Sequence, residues 1–172
     1  MTRASAGPEG FEEAFDELFP RAFSLARRLV GDSDVAEDIA AETLARAYAH
    51  WPRVATLEYR DGWVLRVAAN LAVDRVRRRP EIMAVPPASA GRGADELVVL
   101  RVALVAALGS LPRRQRQAVA LRYLGDLTDG QVAAALGISV GSVKTHIHRG
   151  LGALRLRLGP GIEEVVAVGL ES

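Results

Sequence analysis

Apolar residues recur three and four positions apart along most of this chain of 172 residues. This spacing indicates amphipathic helices, and stretches that alternate as in a strand are rare. The first helix is predicted over about residues 9–30, with a kink at Pro20 and an end at Gly31. Its apolar stripe comprises Phe11, Phe15, Leu18, Phe19, Ala22, Leu25, Ala26 and Leu29. Further helices are predicted over about residues 33–51, 61–79, 95–109, 112–125, 128–136 and 139–158. The expected fold class is therefore all-α.

The ends of these helices are predicted from capping residues and prolines. Ser33 is placed to cap the second helix, and Pro52 to stop it after Trp51. Pro80 closes the third helix, and Pro112 suits the first helical position of the fifth.

Residues 80–95 contain three prolines and two glycines, which interrupt any helical or strand period. We expect two small helical domains joined by a flexible linker at 81–94. The N-terminal domain would be a helical bundle over 1–80, and the C-terminal domain, 95–158, would contain a helix-turn-helix. The tail, 159–172, fits either a short packed helix or a disordered segment.

Residues 127–149 predict the helix-turn-helix. Gly137 permits the turn between its helices, and Ser139 caps the second one. The core between the helices would consist of Val132, Leu136, Ile138 and Val143. The opposite face of the second helix carries polar side chains that suit base edges and phosphates. These candidate DNA-binding residues are Ser142, Lys144, Thr145, His146 and Arg149. The alternative is an ordinary solvated helix face.

A second candidate interface lies on the third helix and the loop before it. Its apolar side would hold Trp63, Val64, Ala68 and Leu71, and the other side Arg66, Asn70, Val73 and Arg77. Aromatic side chains beside arginines suit unstacked bases of single-stranded nucleic acid. The candidate residues are Tyr59, Arg60, Trp63, Arg66, Asn70, Arg77 and Arg78. Alternatively, the aromatic side chains fill the core and the arginines are solvated.

The second helix presents acids and small residues on one face. Asp34, Asp38 and Glu42 follow one another at intervals of four, together with Ala41 and Ala45. Such a face would repel DNA and could receive a basic helix of a protein partner, although solvated helix charge is the commoner explanation.

The net charge of +1 hides a strong segregation of charge along the chain. Residues 1–42 carry −6, 43–80 carry +5, 81–100 carry −2, 101–157 carry +7 and 158–172 carry −3. The two basic segments coincide with the two candidate nucleic-acid interfaces, which favours DNA binding over the solvated alternatives.

The composition and the residue spacing argue against several other classes of protein. The chain has no cysteine, no apolar run of membrane-spanning length and no secretory signal, so we expect a cytoplasmic protein without membrane insertion. Its three histidines, His50, His146 and His148, are not spaced to share a metal ion. No phosphate-cradling loop, nucleophile elbow or paired carboxylates are discernible. We expect no cofactor, no metal and no enzymatic activity.

Taken together, three segments resemble a sigma-70 family factor of the extracytoplasmic-function (ECF) group. They are Asp34–Thr43, Trp63–Arg79 and Leu111–Leu158. The resemblance implies that Asp34, Asp38 and Glu42 dock on the clamp helices of RNA polymerase. It implies that the second segment reads the melted minus-ten element, and that the third binds the minus-thirty-five element.

The partners implied by this resemblance are core RNA polymerase, through its clamp helices and flap, and promoter DNA in duplex and single-stranded form. An anti-sigma factor is a further expected partner. The alternative from a different class is a stand-alone helix-turn-helix regulator. That reading explains the C-terminal residues equally well, but not an N-terminal part with both an acidic helix and a basic aromatic one.

Overall fold

A computed structural model describes residues 9–79 and 92–160, and within these ranges the chain folds into helices joined by short turns. The N-terminal module consists of α1 (Phe11–Val30), α2 (Ser33–Ala49), α3 (Trp51–Val54) and α4 (Arg60–Arg78). The C-terminal module consists of α5 (Arg92–Ser110), α6 (Arg113–Val119), α7 (Asp129–Leu136) and α8 (Val140–Leu158). The predicted all-α fold class is confirmed.

Helix α1 continues through Pro20 and ends, as predicted, at Gly31, whose φ of +77° lies in the left-handed region. The cap of α2 was predicted wrongly. Asp32 caps it, because its extended backbone lets the carboxylate accept a hydrogen bond from the Val35 amide at 2.9 Å. Ser33 is already the first helical residue, and its hydroxyl accepts a hydrogen bond from the Arg27 side chain instead.

The predicted end of α2 at Trp51 is also wrong. The helix ends at Ala49, and Trp51 begins the separate helix α3, which contains Pro52 in its first turn. Proline is tolerated there because a first-turn amide has no intrahelical partner. The Trp51 indole is buried and donates a hydrogen bond to the Glu9 carbonyl at 2.9 Å, which fixes this turn to the start of α1.

Two boundaries in the C-terminal module differ from those predicted. Helix α5 begins at Arg92, before the expected linker boundary, while residues 80–91 and the tail from 161 lie outside the described ranges. Pro112 precedes α6 as its cap rather than occupying the first helical position. Helix α6 then widens into a π-helical turn, Ala120–Leu124, which places the Gly125 amide 3.0 Å from the Ala120 carbonyl.

The buried apolar residues form one contiguous core that includes side chains of both modules. Helix α4 lies at its centre and contacts α1, α2, α5 and α7. This position explains why Val73, predicted on the polar side of α4, is buried: α5 packs on that side, with Gly109 against the Val73 side chain. Val64 and Ala68 are buried as predicted, but Trp63 and Leu71 are only half-buried.

Candidate polymerase and nucleic-acid interfaces

The helix-turn-helix is built from α7, a turn at Gly137 and α8. Helix α7 begins with a capping box: the Thr128 hydroxyl accepts from the Gln131 amide, and the Gln131 side chain accepts from the Thr128 amide. Gly137 adopts a φ of +65°, and the Ser139 hydroxyl caps α8 by accepting from the Ser142 amide at 3.1 Å. The predicted turn and cap are thus present.

Helix α8 separates a buried face from an exposed polar face. Val143 is buried, as predicted for the core of the helix-turn-helix, and Leu151 and Leu154 are buried on the same face. Gly150 is also buried, and a Cβ there would lie 2.8 Å from the Val119 side chain. Sequence reasoning missed this glycine, which lets α8 approach α6 closely.

The five candidate DNA-binding residues of α8 differ in exposure. Lys144, Thr145 and Arg149 are exposed, whereas Ser142 and His146 are half-buried. The Ser142 hydroxyl lies 2.9 Å from that of Ser139, and the Thr145 hydroxyl donates to a backbone carbonyl of the preceding turn. Lys144, Thr145 and Arg149 therefore form the most exposed part of this candidate face.

One of the three acids on the acidic face of α2, Glu42, forms ion pairs within the protein. Asp34 and Asp38 are exposed. Glu42 is half-buried, and its carboxylate accepts from Arg46 at 2.6 Å and from Arg75 of α4 at 3.1 Å. Asp34 and Asp38 are thus available to a basic partner, while Glu42 ties α2 to α4.

The candidate residues of α4 lie along one accessible stripe. Trp63, Arg66 and Asn70 are half-buried, and Arg77 and Arg78 are exposed at the C-terminal end of the helix. Arg77 lies 3.6 Å from a carboxylate oxygen of Asp74, and Arg60, at the start of α4, lies 3.7 Å from one of Glu17. The stripe is therefore basic and exposed at the C-terminal end of α4 and more enclosed near the start of the helix.

The enclosed beginning of the stripe faces α7 of the C-terminal module. A groove of about 360 Å³ runs between them, and Tyr59, Trp63 and Arg66 line one side of it. Ala135 and Leu136 line the other side. The Arg66 guanidinium donates a hydrogen bond to the Ala135 carbonyl at 3.2 Å. Tyr59 and Trp63 also pack against the core, as the alternative interpretation of these aromatic residues expects, while part of each side chain remains accessible.

Electrostatics at this groove are dominated by arginine. Burial lowers the pKa of Arg66, and the nearby charges of Arg113, Arg114 and Arg53 lower this pKa further. Arg114 donates to the Leu136 carbonyl at 3.0 Å. The groove is therefore more basic than acidic, which favours an anionic ligand over a cation.

Sequence reasoning missed three residues at this groove. The His50 ring stands edge-on to Trp63, with 6.5 Å between ring centroids, and Arg53 lines the groove. Gly62 is buried in α4, and a Cβ there would lie only 2.4 Å from the Cβ of Ala135. A glycine inside a predicted helix was the available signal for this close approach.

Neither a group of metal-ligating side chains nor a membrane-spanning helix is found in the part of the chain that the structure describes. Among residues 9–79 and 92–160, no group of three or more His, Asp or Glu side chains is placed to hold a metal ion. No helix in the same ranges is both long and apolar enough to cross a membrane.

Two family models match the chain. The model for sigma-70 region 2 matches residues 14–81, and the model for sigma-70 region 4 matches residues 101–154. These matches contain the acidic face, the α4 stripe and the helix-turn-helix.

Curated relatives cover most of the chain. RNA polymerase sigma-E factor of Streptomyces coelicolor is 35% identical over 150 residues, which are 86% of this chain and 81% of that protein. ECF RNA polymerase sigma factor SigW of Bacillus subtilis is 29% identical over 167 residues, covering 87% of this chain and 89% of that protein. ECF RNA polymerase sigma factor SigL of Mycobacterium tuberculosis is 32% identical over 154 residues, covering 84% of this chain and 86% of that protein.

Two solved structures share the fold. The sigma factor RpoE, in complex with the anti-sigma factor NepR from Bartonella quintana, aligns with a TM-score of 0.55 at 22% identity and covers 90% of this chain and 99% of that one. CnrH, in complex with the cytosolic domain of CnrY, aligns with a TM-score of 0.55 at 21% identity and covers 88% of each chain. With both sigma-70 regions matched in order along one chain, the protein belongs to the ECF group of the sigma-70 family of RNA polymerase sigma factors.

Proposed function

We propose that three surfaces of this chain each perform one of the binding functions of an ECF sigma factor. Such a protein is a transcription initiation factor that directs core RNA polymerase to specific promoters. The acidic face of α2, through Asp34 and Asp38, binds core polymerase. The stripe of α4 holds the melted promoter strand. The exposed face of α8 enters the major groove of the upstream element.

The observation that carries this proposal is the presence of all three surfaces in one chain. An acidic exposed face repels DNA, so its presence in one chain with two basic surfaces favours a protein partner for the acidic face. A stand-alone regulator needs only the helix-turn-helix, and it leaves both the acidic face and the α4 stripe without a role. The sigma-70 matches, which span both modules, also disfavour that alternative.

The stripe of α4 has the chemistry for a single strand. Tyr59 and Trp63 offer faces on which bases stack, and each such contact is worth about 1–3 kcal/mol. Asn70 and Arg78 lie further along, in a second groove shared with Arg75. Bases captured by the aromatic residues and phosphates held by the arginines would together offset the cost of unstacking the duplex.

Binding to core polymerase tests the docking surface. Reversing both exposed acids, as Asp34→Arg with Asp38→Arg, should weaken binding of the chain to core RNA polymerase at least tenfold, because two attractive charges become repulsive. Glu42 is left intact because its ion pairs stabilise the fold. The matched control is Glu12→Arg with Glu13→Arg, an equal charge reversal at exposed positions of α1. Equal affinity of the docking variant and the control would contradict the proposal.

Duplex binding tests the α8 face. Arg149→Ala should weaken binding of the holoenzyme to an upstream promoter duplex about 5- to 160-fold, because one charged contact of about 1–3 kcal/mol is lost. Arg157→Ala removes the same charge from the exposed C-terminal turn of α8 and should have little effect. Fluorescence anisotropy with labelled duplex gives both affinities, and binding to core polymerase should be unchanged in each variant. An equal loss of duplex and polymerase binding in Arg149→Ala would contradict this assignment.

An anti-sigma factor is the further partner that we propose. The sigma factor RpoE, in one of the solved structures of similar fold, is held in complex with the anti-sigma factor NepR. The proposal places the protein where polymerase and promoters are found, in the cytoplasm, and in the nucleoid when it is part of the holoenzyme. Cell fractionation with polymerase as the marker tests this location.

A further inference from the structure

The groove between α2 and α4 contains two arginines that are not among the candidate residues indicated by the sequence. Arg46 comes from α2 and Arg75 from α4, and both line the groove, which has a volume of about 410 Å³. Its charged lining consists of four arginines and two acids, Arg46, Arg75, Arg78, Arg79, Glu42 and Asp74. This excess of positive charge suits an anionic ligand.

One carboxylate, that of Glu42, pairs with both of these arginines. Its Oε1 atom accepts a hydrogen bond from Arg46 at 2.6 Å, and its Oε2 atom accepts one from Arg75 at 3.1 Å. Asp74, the other acid in the lining, lies 3.6 Å from Arg77, which does not line the groove. Glu42 therefore neutralises part of the positive charge that the groove would otherwise offer to a phosphate.

These two ion pairs are open to exchange. The side chains of Glu42, Arg46 and Arg75 are 38%, 52% and 32% exposed, and ion pairs between exposed side chains contribute little to stability. A guanidinium group has five N–H donors and can hold a phosphate through two of them at once. A strand whose phosphates follow the groove can therefore displace the carboxylate from both arginines.

Glu42 also belongs to the acidic face that the proposed function assigns to core polymerase. It follows Asp38 by four residues, which is about 6 Å along the helix axis and close to one turn. A basic partner that covers Asp34 and Asp38 therefore needs only one further turn of contact to reach Glu42. A cation that pairs with Glu42 from that side weakens its hold on the two arginines.

We propose that Arg46 and Arg75 bind phosphates of the melted strand, and that Glu42 withholds both arginines until core polymerase docks on the acidic face. This inference rests on the proposed function of the acidic face and of the α4 stripe. Glu42 is then a positioning residue, because it acts on the strand only through the two arginines. Strand capture is thereby linked to the presence of polymerase.

Oligonucleotide binding by the unbound chain tests the competition. Glu42→Gln keeps the size of the side chain and removes its charge, so it should raise the affinity for a fluorescent 20-nucleotide oligothymidylate about three- to tenfold. Glu37→Gln is the same substitution at an exposed position of α2 outside the groove, and it should leave the affinity unchanged. Fluorescence anisotropy at low salt gives both affinities. Equal affinities of the two variants would overturn the proposal.

Removal of both arginines separates a specific release from a general change in charge. A chain with Arg46→Ala and Arg75→Ala should bind oligothymidylate about fivefold more weakly than the unsubstituted chain. Glu42→Gln should bring no gain in that background, because its two guanidinium partners are gone. A gain as large as in the unsubstituted chain would overturn the proposal. Far-UV circular dichroism checks that each variant keeps its helix content.

The link to polymerase is tested in the holoenzyme at saturating core polymerase. The chain has no cysteine, so Ala49→Cys places one fluorophore at an exposed position three residues after Arg46. Energy transfer to a labelled oligothymidylate reports strand binding at the groove, and the chain without both arginines gives the background from strands bound elsewhere. Glu42→Gln and Glu37→Gln should now give equal affinities, because docking has already released the arginines. A persistent advantage of Glu42→Gln would overturn the link.

Failure of this inference is distinct from failure of the proposed function. If strand and polymerase binding persist but Glu42→Gln and Glu37→Gln have equal affinities in the unbound chain, only the role of Glu42 is overturned. If the chain binds oligothymidylate neither alone nor in the holoenzyme, the strand-holding role of the α4 stripe is contradicted, and this inference with it.

Discussion

Single glycines decide how closely the helices of this protein approach one another. Gly62 and Gly150 are both buried in helices, and a Cβ at either would lie within 3 Å of a side chain in another helix. Gly152, two residues further along α8, has no atom within 4 Å of the place a Cβ would take. Glycine is unfavourable inside helices, so Gly62 and Gly150 are explained by packing, whereas nothing in the structure explains Gly152.

Gly62→Ala should therefore destabilise the protein although alanine is the better helix former. The new Cβ would lie 2.4 Å from the Ala135 Cβ and 2.6 Å from the Tyr59 ring. Overpacking of this kind costs about 1–3 kcal/mol, which exceeds the gain in helix propensity of about 1 kcal/mol. Urea denaturation followed by circular dichroism measures the change in unfolding free energy.

Gly152→Ala is the matched control for that measurement. It makes the same chemical change in a helix interior with open space around it, so it should stabilise the protein by about 0.5–1 kcal/mol. An equal effect of the two substitutions would show that helix propensity, and not the contact between α4 and α7, governs both positions.

Three helices, α2, α7 and α8, begin at residues whose side chains cap them. The turn at Gly137, the cap at Ser139 and the end of α1 at Gly31 all follow from residues adjacent in sequence, and the structure confirms them. The cap of α2 could not be predicted in the same way, because Asp32 and Ser33 are both good capping residues. Which of the two residues caps the helix depends on which has an extended backbone, and in the structure that residue is Asp32.

Substitution of Asp32 and of Ser33 tests which of these two residues caps α2. Asp32→Ala should lower the unfolding free energy by about 1 kcal/mol, because the Val35 amide loses its acceptor. Ser33→Ala should cost only a few tenths of a kcal/mol, since its contact with Arg27 is an exposed side-chain hydrogen bond. Asp32→Asn retains a capping oxygen and should restore most of the loss. Urea denaturation of the three variants checks this order, and a larger loss in Ser33→Ala than in Asp32→Ala would contradict it.

At the scale of the whole molecule, the two modules share one core and a small set of polar bridges. Arg28 is central to these bridges, since its side chain contacts the turn after α6 while its carbonyl accepts from Arg101. Burial lowers the pKa of Arg101, and the nearby Arg27 lowers this pKa further. Arg101 nevertheless remains charged at neutral pH and keeps its hydrogen bond to Arg28.

Arg28→Ala should reduce the cooperativity of unfolding between the modules. Both tryptophans, Trp51 and Trp63, lie in the N-terminal module, so tryptophan fluorescence reports on that module while circular dichroism reports on all helices. The two denaturation curves should coincide in the unsubstituted chain. In Arg28→Ala, the loss of about 1 kcal/mol of coupling should separate them. Coincident curves in the variant would show that the apolar contacts alone couple the modules.

Most of the helices, the helix-turn-helix and the exposed part of the polar face of α8 could be predicted from the sequence alone. These features follow from apolar spacing and capping residues within a few positions of one another, so neighbouring residues suffice to specify them. The sigma-70 resemblance likewise rested on contiguous segments, and the family matches bear it out.

The partners of the charged residues and of the residues in the centre of the fold depend on how the helices pack together. Val73 is buried because α5 covers it, Glu42 pairs with Arg75 across two helices, and Arg66 contacts a carbonyl 69 positions away. Such contacts depend on which helices pack together and at what angle, and the periodicity of one helix does not contain that information. An accessible arginine stripe can therefore be predicted from the sequence, but whether it faces solvent or the other module is set by long-range packing.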